Sequence, residues 1–212
     1  MNPHFTFRIV LLCALLLVAS PVFAGFDEAL SGTPKAWQQG QWQITPLQTS
    51  DDRLYYRAHQ GSADYLYHVL GWSWPTKKIS PEVNADMVRH HVAQHERKAA
   101  FTYVVRHTGE EGILGAIYLT PVNMERRHVP NFNPNEFSAE VTFWFTQGAE
   151  SADDSERLLQ ELIMWLTEEW PQAKVLMPVH SDYTFVHEQM LALEHEPFTE
   201  DAETGDLLYR LP

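Results

Sequence analysis

Two groups of side chains stand where chemistry is possible. The first is a set of acids at a strand-to-helix junction. Residues Ala139–Trp165, AEVTFWFTQGAESADDSERLLQELIMW, read as one strand, one turn and one amphipathic helix. The start of a helix is a ready anion site, because free N–H groups and the positive end of its dipole point outward. A phosphate cradle also needs glycines, so that backbone can approach the oxygens. This turn has Gly148 alone, and carries Glu150, Asp153 and Asp154. Like unit charges about 4 Å apart repel by roughly 1 kcal/mol in water and about 4 kcal/mol at lower dielectric. The helix terminus returns only about 0.3–1 kcal/mol. The acids therefore oppose a bound anion, while stabilising the first turn of the helix themselves. The second group is His91 and His95, four residues apart on one helix face. That spacing suits two metal ligands, but no His-Glu-x-x-His pattern or cysteine pair accompanies it. They read as packing residues, and no metal is assigned. No Gly-x-Ser-x-Gly elbow occurs either, which leaves a hydrolase triad without support.

Among the elements that must position these residues, Trp42, Ile44 and Leu47 mark a short strand. Leu54 to His59 and Tyr65 to Leu70 read as short helices, broken at Gly71. Ser80-Pro81-Glu82 opens a helix, with a capping hydroxyl and a proline in the first turn. It should run to about Lys98, with Val83, Met87, Val88, His91, Val92 and His95 facing inward. Strands are predicted over Phe101–Arg106, Gly112–Thr120 and Phe137–Phe145. Ser151 is expected to cap the following helix, whose Leu158, Leu159, Leu162, Ile163 and Leu166 share one face. A strand Lys174–Val179, a helix Tyr183–His195 and a strand Leu207–Leu211 complete the chain. Hairpins first and strand-helix-strand units later indicate an α+β fold.

Residues 1–24 combine Arg8, eleven apolar residues from Ile9 to Ala19, and Val22 and Ala24 before Gly25. This reads as a cleaved signal peptide, since a membrane span needs roughly 20 apolar residues. The protein is then secreted or periplasmic. Residues 25–40 read as a lead-in segment and residues 41–212 as one domain. The only cysteine, Cys13, falls in the signal, so the mature domain has no thiolate and no disulfide. A net charge of −13 disfavours nucleic acid and anionic lipid, and no membrane association is expected after cleavage. With 44% hydrophobic and 12% aromatic residues, the composition suits a packed core.

The order and residues of Trp42–Leu211 resemble the GNAT superfamily, the N-acyltransferases that use acyl-CoA. The resemblance is closest in Phe101–Leu119, FTYVVRHTGEEGILGAIYL, and in Ala139–Trp165. The Ala-Glu-Val start, the aromatics Phe143, Trp144 and Phe145, and Trp165 are similar to the subgroup that modifies ribosomal-protein N-termini and small amines. The resemblance implies a central mixed, mostly antiparallel sheet with helices on both faces. It also implies acetyl-CoA as the cofactor of an active enzyme, and a small molecule or a protein amine as its partner.

Carried over residue by residue, the resemblance implies a site. Glu140, on the strand beside the acyl group, would deprotonate an amine through water once apolar neighbours raise its pKa. The backbone of Phe143–Phe145 would position the pantetheine arm. The family loop Gln/Arg-x-x-Gly-x-Gly/Ala, laid without gaps, puts its leading position on Gly148 and its glycines on Ser151 and Asp153. In the last helix, FVHEQMLALEHEPF, Leu193 stands where a tyrosine acid would fall, so Tyr183 is the remaining proton donor. Tyr55, Tyr56, Tyr65, Tyr67, Trp72 and Trp74 would form the acceptor wall. Two functions follow as expectations. One is an exported GNAT-like protein with lost or weakened acetyl-CoA binding, whose cleft takes a ligand or partner. The alternative is an active N-acyltransferase. Because acyl-CoA is a cytosolic cofactor, an exported location favours the first.

Overall fold

The computed structural model describes residues 36–71, 78–153, 155–170 and 174–211. The expected signal peptide, Trp72, Trp74 and Asp154 lie outside the described residues. Eight strands form one sheet: β1 (Trp37–Gln39), β2 (Trp42–Pro46), β3 (Phe101–His107), β4 (Gly115–Thr120), β5 (Ala139–Phe145), β6 (Val175–His180), β7 (Thr199–Asp201) and β8 (Asp206–Leu211). Their order is β1-β2-β3-β4-β5-β6-β8-β7. Every neighbouring pair is antiparallel except β5 and β6, which run parallel. The helices are α1 (Asp52–Gly61), α2 (Ala63–Leu70), α3 (Pro81–Glu96), α4 (Gln147–Glu150), α5 (Glu156–Glu169) and α6 (Thr184–Ala192).

Side chains alternate across a strand, so β5 feeds both faces of the sheet. On one face Trp144 meets Tyr55 of α1 and Tyr118 meets His91 of α3. On the other, Tyr103 packs edge-on against Trp165 of α5 at 4.7 Å, and Phe143 lies against Tyr183. The mixed, mostly antiparallel α+β sheet with helices on both faces is thus in place. At Gly115 a Cβ would lie 2.5 Å from the Trp144 carbonyl, so only glycine permits that approach of β4 to β5.

Four local readings differ from the structure. Residues 37–39 do not trail ahead of the domain but pair with β2, and Trp37 is buried. On α3 Val88 is buried as expected, but in the first turn the buried residue is Asn84, whereas Val83 is exposed. The reason is polar: Asn84 Nδ2 donates to the Asp52 carbonyl at 2.8 Å, and its Oδ1 lies 3.0 Å from His59 Nε2. The hairpin strand starts at Gly115 rather than Gly112, and the short β7 carries no periodic signal. The Ser80 cap does form, its Oγ accepting from Val83 N–H at 3.3 Å.

The sheet splits between β5 and β6. Their ladder pairs only Ala139 with Val175 and Glu140 with Leu176. Ser138 N–H donates to the Lys174 carbonyl at 2.8 Å, so Lys174 faces β5, and by the two-residue alternation Leu176 and Pro178 face it too. The next donor the parallel ladder requires is the N–H of residue 178. Proline has none, and the ladder stops there. Meanwhile β6 continues to pair with β8 as far as His180.

Candidate functional site

The split opens a cavity of ≈ 230 Å³ whose walls include Asn123, Arg127, Glu140, Phe143, Tyr183 and Asp206. It therefore brings together Glu140, Phe143 and Tyr183, three of the residues singled out from sequence. Gly148 and Ser151 are not among its lining residues.

Glu140 sits at the paired end of the split, and it is not solitary. Arg127 Nη2 donates to its Oε1 at 2.6 Å, and Asn123 N–H donates to its Oε2 at 3.1 Å. Arg127 Nη1 also reaches Asp206 Oδ2 at 3.3 Å. All three ionic side chains are buried. Burial pushes the Glu140 carboxyl above its ordinary range, with the Arg127 charge pulling the other way. The carboxylate thus has the raised affinity for protons that a base needs, but both of its oxygens already accept a bond.

Phe145 and Tyr183 meet at the other end. Thr146 N–H donates to the Leu114 carbonyl in the hairpin, so by alternation Phe145 and Phe143 turn their N–H groups toward the split. Phe145 N–H donates to Tyr183 Oη at 3.3 Å. The Tyr183 hydroxyl donates in turn to Glu150 Oε1 at 2.6 Å, and Tyr65 donates to Glu150 Oε2. Tyr183 is almost wholly buried, and burial followed by the Glu150 charge drives its phenol far above the ordinary range. As placed, its proton is committed to a carboxylate rather than presented to the cavity.

The turn after β5 is helical. Thr146 caps α4, accepting from Ala149 N–H at its side chain. Glu150 N–H returns to the Thr146 carbonyl, Ser151 N–H to Gln147, and Ala152 N–H to Ala149. These donors are consumed by the chain itself. Ser151 was expected to cap the long helix; instead it ends α4, its Oγ donating to the Gln147 carbonyl at 2.9 Å, and α5 begins only at Glu156. The reason is that the Ser151 N–H and Oγ both return to the Gln147 carbonyl and close α4, while α5 starts from Ser155 with no side-chain cap. Gly148 lies within α4 and lines a separate hollow beside Gln41, His107, Glu110 and Asp153.

The remaining candidates disperse. His91 packs against Tyr118, and burial, aided by neighbouring His90, holds its pKa down to about 4. His95 stacks edge-on against Phe101 and Tyr103. The expected aromatic wall does not assemble among the described residues. Tyr55 is in the core, hydrogen-bonded to Tyr118; Tyr56 donates to the Ile79 carbonyl; Tyr67 is exposed. Arg127 and Asp206 were not anticipated as site residues, and Glu150 was read only as an acid opposing a bound anion. The only hint was that Arg126-Arg127-His128 is the one basic cluster in the chain.

Comparison with solved structures places this architecture. RimL, a ribosomal L7/L12 alpha-N-protein acetyltransferase in complex with coenzyme A, matches with a TM-score of 0.60 at 13% identity, covering 81% of this chain and 94% of its own. The ribosomal-protein-S5-alanine acetyltransferase from Vibrio fischeri matches with a TM-score of 0.56 at 13% identity, covering 82% and 93%. The microcin C7 self-immunity acetyltransferase MccE, bound to acetyl-CoA and AMP, matches with a TM-score of 0.56 at 7% identity, covering 81% and 91%. No family model matches the chain, and no curated protein matches it. At these identities the likeness speaks for architecture alone, and on that ground the chain has the fold of the GNAT acetyltransferases.

Proposed function

We propose that this is an exported GNAT-fold protein that has lost or weakened acetyl-CoA binding and uses the β5–β6 cleft for a small ligand or a protein amine. One observation carries the reading. The Phe145 N–H, the donor that the pantetheine arm would take, is already held by Tyr183, and Glu150 locks that tyrosine in place. The turn at Gln147–Ala152 and its acids support the same reading, since the N–H groups of residues 149–152 return to the chain itself and the acids oppose the charge of a pyrophosphate. A protein or small-molecule amine as partner is supported by neighbours named as acetyltransferases of ribosomal proteins. Calorimetry of residues 25–212 with acetyl-CoA tests it: no heat in the micromolar range is expected, and micromolar binding overturns it. Export rests on the composition of residues 1–24, and mass spectrometry of secreted protein should give a terminus at Gly25.

The second reading is an active N-acetyltransferase, supported by Glu140, whose buried carboxyl lines the cleft with raised proton affinity. It requires transfer of a labelled acetyl group from acetyl-CoA to an N-terminal amine, lost in Glu140→Gln. Absence of transfer at millimolar acetyl-CoA excludes it.

A further inference from the structure

From Phe143 onward, the edge of β5 facing the split has no ladder partner in β6. Phe143 and Phe145 turn backbone donors into the gap, and Pro178 turns its carbonyl toward it from β6. Donors on one wall and an acceptor on the other are the complement of a secondary amide, as carried by any extended amide chain. One of these positions is occupied from within: the Tyr183 hydroxyl sits on Phe145 N–H as a ligand carbonyl would.

A tyrosine that merely filled the core would need no charged partner. This one is held by Glu150, which in turn accepts from Tyr65, 85 positions away in sequence. Three elements meet at that carboxylate: α2 through Tyr65, α4 through Glu150, and the segment leading into α6 through Tyr183. The contact ties both sides of the split together, β5 through its Phe145 amide and α6 through its first turn.

We propose that Tyr183, Glu150 and Tyr65 form a latch that keeps the Phe145 donor of the β5–β6 split from an amide-bearing ligand, and that ligand binding there requires the Tyr183 hydroxyl to leave Phe145 N–H. The proposal rests on the reading that ligands enter this cleft, and it deepens that reading by naming what controls access. The hydroxyl is the working part, because it alone competes for the amide donor. The ring remains as wall against Phe143.

The test uses pantetheine as probe, since it carries amides but no phosphate and so is indifferent to the closed turn at Gln147–Ala152. Calorimetry compares residues 25–212 as wild type, Tyr183→Phe and Tyr65→Phe. The latch predicts binding at least tenfold tighter in Tyr183→Phe than in wild type. Tyr65→Phe, which loosens only Glu150, should give a smaller gain of about threefold, and it serves alone where Tyr183→Phe fails to fold. Affinity equal to or weaker than wild type, in whichever variant retains the wild-type near-UV spectrum, overturns the latch. This outcome is separate from the failure of the proposed function, which would appear as micromolar acetyl-CoA binding by the wild type. The latch concerns the ratio between variant and wild type for a phosphate-free probe.

Discussion

Each end of the β5–β6 split holds a glutamate, buried at one end and half-buried at the other, and the two are held by opposite means. At the paired end, Glu140 faces a guanidinium shared with Asp206, so one cation serves two carboxylates. At the open end, Glu150 is held by two neutral phenols. Burial raises the proton affinity of both carboxyls. The contrast separates a fixed joint from a movable one. An ion cluster with side chains at most 8% exposed is costly to disturb, because removing one member strands the others in a low dielectric. Phenol bonds to a carboxylate are weaker and can be exchanged for water or ligand.

The comparison is tested most severely at Arg127. Arg127→Met leaves Glu140 and Asp206 buried without a cation, and should cost about 3–5 kcal/mol in urea unfolding. A loss below about 1 kcal/mol would show that the cluster is solvated and that the two ends do not differ. Tyr183→Phe strands only the Phe145 donor and one Glu150 oxygen, for an expected loss of about 1–3 kcal/mol. If this variant is destabilised more than Arg127→Met, the assignment of fixed and movable ends is reversed.

Pro178→Ala probes the line between the two ends. It restores the N–H that the parallel ladder lacks, worth about 0.5–1.5 kcal/mol, and loosens the unfolded chain by about 0.4–1 kcal/mol. These nearly cancel, so amide exchange is the measurement: a slowly exchanging proton at residue 178 is expected, and rapid exchange there would mean that something other than proline opens the sheet. The smallest effect is in pH. Glu150 has a folded-state pKa above its ordinary 4.5. The stability it contributes is therefore present below 4.5 and is lost as pH rises through the folded value. Wild type should thus lose stability relative to Glu150→Gln over that rise, and a relative gain would refute the burial argument.

What the sequence discloses follows the range of the interactions. The Ser80-Pro81 start and the alternation of β5 are local, and both are readable from neighbours a few positions apart. The choice of Asn84 over Val83 for the inner face is not, because its partners are Asp52 and His59, on an earlier helix. Arg127 and Asp206 are 79 positions apart and Tyr65 and Glu150 are 85 apart, so neither the ion cluster nor the phenol pair leaves a periodic trace. Ser151 misled because a serine before acids and a leucine-rich run looks like a cap, whereas its side chain turns back to the Gln147 carbonyl and closes the short α4, and the long helix starts from Ser155. Proline at position 178 was visible throughout. Its effect depends on which edge its nitrogen faces, and only the sheet order decides that.

The gap that Pro178 opens has a further consequence for life at high concentration. Rows of unsatisfied strand amides invite other chains to add, and proteins usually guard the outer margins of their sheets with charges, prolines or bulges. Here a margin exists in the middle of the sheet, between the sixth strand and its neighbour. With its hydroxyl on Phe145 N–H, Tyr183 takes up one of the strand donors on that inner margin from within the same chain.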